Sequence, residues 1–117
     1  MNLLKETLEE LKDNNLIPSD ILWVGSKDGK FAITWEEFVN IADVEYNNGF
    51  GGQEIADDLV VVGKNFWLER HEYDGAENWV YREKPVLAVN FKKFSNVKSQ
   101  NYWELLGEIN QKRSVIE

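Results

Sequence analysis

The sequence predicts a single α+β domain over residues 1–117, in which an antiparallel β-meander packs with N- and C-terminal helices and one short internal helix. Three observations predict it: leucines at helical spacing near the N-terminus, short apolar runs separated by glycine-containing turns, and a second helical pattern near the C-terminus. With 117 residues, 43% of them hydrophobic, the chain is long enough to bury a core.

The first elements are a helix and a hairpin. Leucines recur at helical spacing from Leu3 to Leu11 and predict an amphipathic helix over residues 2–14. Residues 21–24 predict a short strand. Residues 26–29 end in a glycine that can take a positive φ, and they predict a tight turn into the returning strand.

A capping box predicts the internal helix, over residues 35–42. The Thr34 hydroxyl can accept a hydrogen bond from the N–H of Glu37, and the Glu37 carboxylate can accept one from the N–H of Thr34. The inner positions of this helix are predicted to be Phe38, Val39 and Ala42.

The second half of the chain predicts the meander. Residues 59–62 are apolar on both faces, as in a central strand, and glycine-containing turns separate them from strands over residues 66–73 and 78–82. Residues 86–91 are predicted to form a further strand or an extended edge. Apolar residues at helical spacing then predict a C-terminal helix over residues 100–112.

Charge is distributed unevenly along the chain, whose formal net charge is −8. Between Lys30 and Lys64 there is no lysine or arginine. The seven carboxylates of this stretch, which we call the acidic zone, are Glu36, Glu37, Asp43, Glu45, Glu54, Asp57 and Asp58. Tyr46 and Phe50 lie among them and are predicted to anchor a partner, since interfaces favour aromatic side chains.

Such a zone attracts basic proteins, and its alternative explanation is a wetted surface that favours solubility. A direct nucleic-acid binder would instead present a basic stripe, so we expect no direct nucleic-acid partner. No apolar run approaches the roughly 20 residues of a membrane span, and the N-terminus does not read as a signal peptide, so we expect a soluble cytoplasmic protein without a membrane partner.

Several kinds of chemistry are disfavoured by the residues present. The chain has no cysteine, which excludes a thiolate zinc site and a cysteine nucleophile. The glycines of residues 49–52 lack the Lys-Ser/Thr of a phosphate-binding loop, and the spacing of Glu54, Asp57 and Asp58 does not match a calcium loop. We therefore predict no cofactor and no metal site.

An enzyme is the alternative from another functional class. In a strand, alternate residues share a face, so Trp67, Glu69 and His71 would lie together. A carboxylate beside an imidazole can orient it for acid–base work, which makes Glu69 and His71 the candidate catalytic pair. The other interpretation is a half-exposed sheet face without chemistry, and we predict that the chain is not an enzyme.

Two segments resemble small acidic proteins encoded by phages and prophages of low-GC Gram-positive bacteria. They are residues 46–63, YNNGFGGQEIADDLVVVG, and residues 67–81, WLERHEYDGAENWVY. The resemblance covers about residues 19–85 and carries over no catalytic residue. Because small acidic phage proteins are often inhibitors of host nucleic-acid enzymes, anti-CRISPR proteins among them, it implies a DNA mimic in the host cytoplasm.

The function predicted from the sequence is therefore non-enzymatic. The acidic zone would dock on a basic surface of a host nucleic-acid-binding protein, such as a CRISPR effector nuclease, where arginines normally meet phosphates. A structural or assembly role in a phage is a further alternative.

Overall fold

The computed structural model of the chain describes residues 1–115, and the side chains of residues 1–111. Its elements are α1 (Leu3–Asp13), a 3-10 helix (Pro18–Asp20), β1 (Ile21–Ser26), β2 (Ala32–Ile33), α2 (Trp35–Ala42), β3 (Leu59–Gly63), β4 (Phe66–Tyr73), β5 (Ala76–Glu83) and α3 (Leu106–Val115). The strands form one antiparallel sheet in the order β2-β1-β3-β4-β5. The α+β prediction is confirmed, and the chain divides into two compact units, residues 1–85 and the segment that begins at residue 86.

The core of residues 1–85 lies between the sheet and the helices α1 and α2. Alternation along β4 turns Phe66, Leu68 and Arg70 toward the helices, and all three are buried. The helices contribute Leu3, Leu11, Phe38 and Ala42, and the sheet contributes Ile21, Val24, Val61, Phe66, Leu68 and Trp79.

The predicted capping box begins α2. The Glu37 N–H donates to Thr34 Oγ1 at 3.1 Å, and the Thr34 N–H donates to Glu37 Oε1 at 3.0 Å. Phe38 and Ala42 are buried and Val39 is half-buried, as the spacing predicted. The helix ends at Ala42, so its amphipathic face is only two turns long.

The two edges of the sheet differ. On β5, the Glu77 N–H donates to the Asn48 carbonyl at 2.8 Å and the Trp79 N–H donates to Glu6 Oε2 at 3.2 Å. A loop and α1 therefore cover part of that edge. The other edge is β2, which pairs with β1 alone and begins after a tight turn at Gly29, whose φ of 78° is the predicted positive value.

The unit that begins at residue 86 differs from the prediction in two places. Of the two alternatives predicted for residues 86–91, a further strand or an extended edge, the strand is wrong: these residues form none, and no strand occurs within residues 86–115 to pair with them. The C-terminal helix begins at Leu106 instead of residue 100, because Tyr102 and Trp103 have φ values of 59° and 51°, which a right-handed helix excludes.

Candidate functional site: an apolar groove beside carboxylates

The acidic zone lies on separate elements. Glu36 and Glu37 begin α2, whereas Asp43 follows its last residue as the C-cap. Seven residues along a helix span roughly 10 Å, which exceeds the screening length of about 8 Å at physiological salt. The two ends of α2 therefore act as separate charge groups. The other members of the zone lie outside α2, at Glu45 and, before β3, at Glu54, Asp57 and Asp58.

Three members of the zone already have partners within residues 1–85. Glu45 lies 3.3 Å from the N-terminal ammonium group, and Asp43 Oδ1 accepts a hydrogen bond from Asn2 Nδ2 at 2.8 Å. Glu37 is held in the capping box. The members of the zone whose side chains make neither an ion pair nor a hydrogen bond with residues 1–111 are Glu36, Glu54, Asp57 and Asp58, and all four are exposed.

An apolar groove of about 470 Å³ is lined by the last of these carboxylates, Asp58, which Asp57 precedes in the chain. This volume falls within the range of about 300–1,000 Å³ that is typical of binding pockets. Its walls include Phe38 and Ile41 of α2, Phe31 and Ile33 of the β1–β2 hairpin, and Ala56 and Asp58 before β3. Phe31 is 75% exposed and Ile41 is 66% exposed, so two large apolar side chains at the groove contact solvent.

Among the described residues that line the groove, the charged one is Asp58. Asp57 and Asp43 directly follow or precede lining residues in the chain. Two bases also adjoin lining residues: Lys27 follows Ser26 and Lys30 precedes Phe31, and Lys27 Nζ is paired with Glu69 Oε2 at 3.1 Å. A ligand that combines apolar groups with a cation would therefore place its cation toward Asp58.

The two aromatic residues predicted as anchors differ in position. Phe50 is 78% exposed and remains accessible to a partner. Tyr46 is only 7% exposed, and its hydroxyl donates to Glu6 and accepts from Arg70. Tyr46 thus belongs to the core instead of a partner-binding surface.

A buried ionic cluster explains the position of Tyr46. The fully buried Arg70 side chain donates to Glu77 Oε2 at 2.8 Å and to Glu6 Oε1 at 3.3 Å. Its guanidinium also lies 4.7 Å from the Trp79 ring centroid. Desolvation by burial, followed by the hydrogen bond to Glu6, raises the pKa of Tyr46 to about 12. We call Glu6, Tyr46, Arg70 and Glu77 the buried cluster.

The buried cluster was missed from the sequence, although one signal for it was present. Arg70 alternates with Phe66 and Leu68 along β4 and so had to share their buried face. Its anionic partners had no comparable signal, because Glu6 comes from α1, 64 residues away along the chain.

The candidate catalytic pair lies on β4, but Glu69 contacts other groups. Glu69 Oε1 accepts from Trp67 Nε1 at 3.0 Å and from Arg82 Nε at 3.2 Å, while Oε2 accepts from Lys27 Nζ at 3.1 Å. Partial burial raises the pKa of Glu69, but these three hydrogen bonds outweigh it and lower that pKa overall. His71 is exposed and lies opposite Asn78 on β5.

No family model, no curated protein and no solved structure matches this chain. Within residues 1–115 no helix is long and apolar enough to cross a bilayer. In the same part of the chain, no three histidine, aspartate or glutamate side chains are grouped as a metal ion would require.

Proposed function

We propose that the chain is a non-enzymatic protein that docks on a basic surface of a nucleic-acid-binding protein and blocks access of the nucleic acid. The observation that carries this proposal is the apolar groove lined by Asp58, which with its chain neighbour Asp57 is an exposed carboxylate without an ion pair to residues 1–111. Apolar contact area supplies affinity, and free carboxylates supply selection for arginine and lysine.

The charge of the whole N-terminal unit supports a basic partner. Residues 1–85 hold eighteen acidic and eight basic residues. A field of this sign accelerates encounter with a cationic surface and repels phosphates. The finer form of the proposal, a DNA mimic that inhibits a CRISPR effector nuclease, follows from the phage-type resemblance of residues 46–63 and 67–81.

The hydrogen bonds of Glu69 favour binding over acid–base chemistry. Its carboxylate is held by Lys27, Arg82 and Trp67, which leaves His71 without the carboxylate partner that the enzyme hypothesis requires. Ser26 lines the groove, but its hydroxyl donates to Asp28 Oδ1 at 2.6 Å and accepts from the Phe31 N–H at 3.0 Å, and no histidine base is among the described lining residues.

The direct test uses charge reversal at the groove. The immobilised chain is used to capture a partner from a low-GC Gram-positive host lysate, and the purified partner is then titrated with nucleic acid in an electrophoretic mobility-shift assay. The wild-type chain is expected to displace the nucleic acid, and the double variant Asp57→Lys/Asp58→Lys to require about tenfold or more protein for the same displacement, because like charges would face each other. Raising the salt concentration should weaken the wild-type effect.

Glu9→Lys/Asp13→Lys is the matched control. It makes the same change in net charge on exposed positions of α1. The control should displace nucleic acid as the wild type does. Equal losses in both double variants would reduce the effect to net charge alone, and a captured partner that keeps its nucleic acid in the presence of the chain would rule out the proposal.

A further inference from the structure

Residues 86–103 form a segment whose charge is opposite to that of the acidic zone. It contains no aspartate or glutamate, and it carries Lys92, Lys93 and Lys98 among apolar and aromatic residues. Its apolar side chains are largely exposed: Val86, Val89 and Trp103 are each 93% exposed. Contiguous exposed apolar side chains of this kind mark an interaction surface.

Part of this segment has the pattern of a β-strand without being one. Leu87, Val89 and Phe91 would share one face of an extended chain, and all three are apolar. The structure nevertheless forms no strand over residues 86–91, and no strand lies within residues 86–115 to pair with them. A strand-forming sequence is therefore present without its partner strand.

An edge strand that could accept it lies at the groove. Ala32 and Ile33 of β2 pair with β1 on one side, end the sheet on the other, and line the groove. An extended peptide can add to such an edge by main-chain hydrogen bonds, while its alternate side chains enter neighbouring pockets. Residues 1–85 have a net charge of −10 and the remaining residues one of +2, so the two units attract each other across molecules.

We propose that residues 86–94 of one copy add as a strand to β2 of a second copy and place Leu87, Val89 and Phe91 in its groove. The net charge of −10 on residues 1–85 of that copy would attract Lys92 and Lys93. The proposal rests on the groove being a docking surface, as proposed above. It adds a mechanism that regulates the binding of a partner there. Self-association covers the groove and competes with any basic partner.

Sedimentation of the full chain over a range of concentrations tests the self-association without any other protein. The mass is expected to rise from 13.6 kDa to at least twice that value as concentration increases. Val89→Glu in the segment and Ile41→Glu in the groove should each raise the dissociation constant about tenfold or more, because each would bury an unpaired charge. Leu22 and Val97 are apolar positions outside the interface, and they are 71% and 73% exposed. The control variants Leu22→Glu and Val97→Glu should associate like the wild type.

Mixing the two interface variants gives the sharpest result. The Val89→Glu chain keeps an intact groove and the Ile41→Glu chain keeps an intact segment, so the mixture can form one complete interface that neither variant forms alone. We expect heteroassociation in the mixture only. A mixture that stays monomeric while both variants remain folded by circular dichroism would overturn the proposal.

A cross-linking experiment checks the position of the added strand. Because the chain has no cysteine, Ala32→Cys and Val89→Cys can be introduced into separate chains and mixed under oxidising conditions. A disulfide-linked pair is expected, and the pair made from Leu22→Cys and Val89→Cys should cross-link several-fold more slowly. Equal rates would overturn the placement on β2.

Other partners of residues 86–103 would give different results. The proposal would be overturned if the wild-type chain is monomeric at all concentrations and binds anionic-lipid vesicles or single-stranded DNA through Lys92 and Lys93. The partner of the segment would then be a membrane or a nucleic acid. All of these experiments measure self-association. A negative result in them therefore leaves the proposed docking on a nucleic-acid-binding protein untouched. If that docking fails while the chain still self-associates, the groove is a docking surface for a second copy alone.

Discussion

Arg70→Ala is expected to lower the free energy of unfolding by about 3–5 kcal/mol, the typical cost of removing one partner from a buried ion pair. The Arg70 side chain is fully buried between Glu6 and Glu77, whose own side chains are only 10% and 1% exposed. Without the guanidinium, two buried carboxylates would face each other with no counter-charge. Urea denaturation of the variant and the wild type near pH 7 measures the difference.

An exposed arginine on the neighbouring strand provides the control. Arg82 pairs with Glu69, but its side chain is 55% exposed, so Arg82→Ala should cost less than about 1 kcal/mol. Arg70→Lys should fall between the two, because an ammonium group keeps the charge but cannot span Glu6 and Glu77 as the planar guanidinium does. A cost below about 1 kcal/mol for Arg70→Ala would mean that the buried cluster contributes little to stability.

Elements with local signals were predictable from the sequence. The leucine spacing predicted α1, the Thr34–Glu37 capping box predicted α2, and turns with glycine separated β3, β4 and β5. In each case the deciding interactions join residues a few positions apart, so the sequence contains them directly.

Features that depend on distant partners were not predictable in the same way. The short apolar run at residues 86–91 indicates a strand, but a strand also needs a neighbouring strand, and the sequence pattern does not identify one. The left-handed backbone at Tyr102 and Trp103 is likewise unusual for large aromatic residues, and the helical spacing of apolar residues had placed both in a helix.

The candidate site likewise has some features that the sequence predicts and others that depend on distant partners. Counting charges correctly indicated exposed carboxylates, and all seven members of the acidic zone are exposed. The groove beside Asp58, however, is formed by α2, the β1–β2 hairpin and the loop before β3, which only the folded sheet brings together. Tyr46, close in sequence to Glu45, turns inward because Arg70 and Glu6 bind its hydroxyl.

The folded chain is expected to lose about 2–3 kcal/mol of stability between pH 10 and pH 12 through Tyr46 alone, at about 1.4 kcal/mol for each unit of pKa shift. The pKa of Tyr46 is raised from 10.0 in the unfolded chain to about 12 in the folded chain. The unfolded state therefore releases this proton first as the pH rises. The contribution is fully present below pH 10 and is lost through pH 12, because the buried neutral hydroxyl is favoured over a tyrosinate beside Glu6.

Tyr46→Phe separates this titration from that of other groups. The variant is less stable than the wild type at pH 8, because it leaves Glu6 and Arg70 without the hydroxyl that bonds both. It has no proton to lose at position 46, so its stability should fall less steeply above pH 10. Urea midpoints at pH 8, 10 and 11 should therefore converge between the two proteins as the pH rises, and parallel lines would show that Tyr46 ionises with its ordinary pKa in the fold.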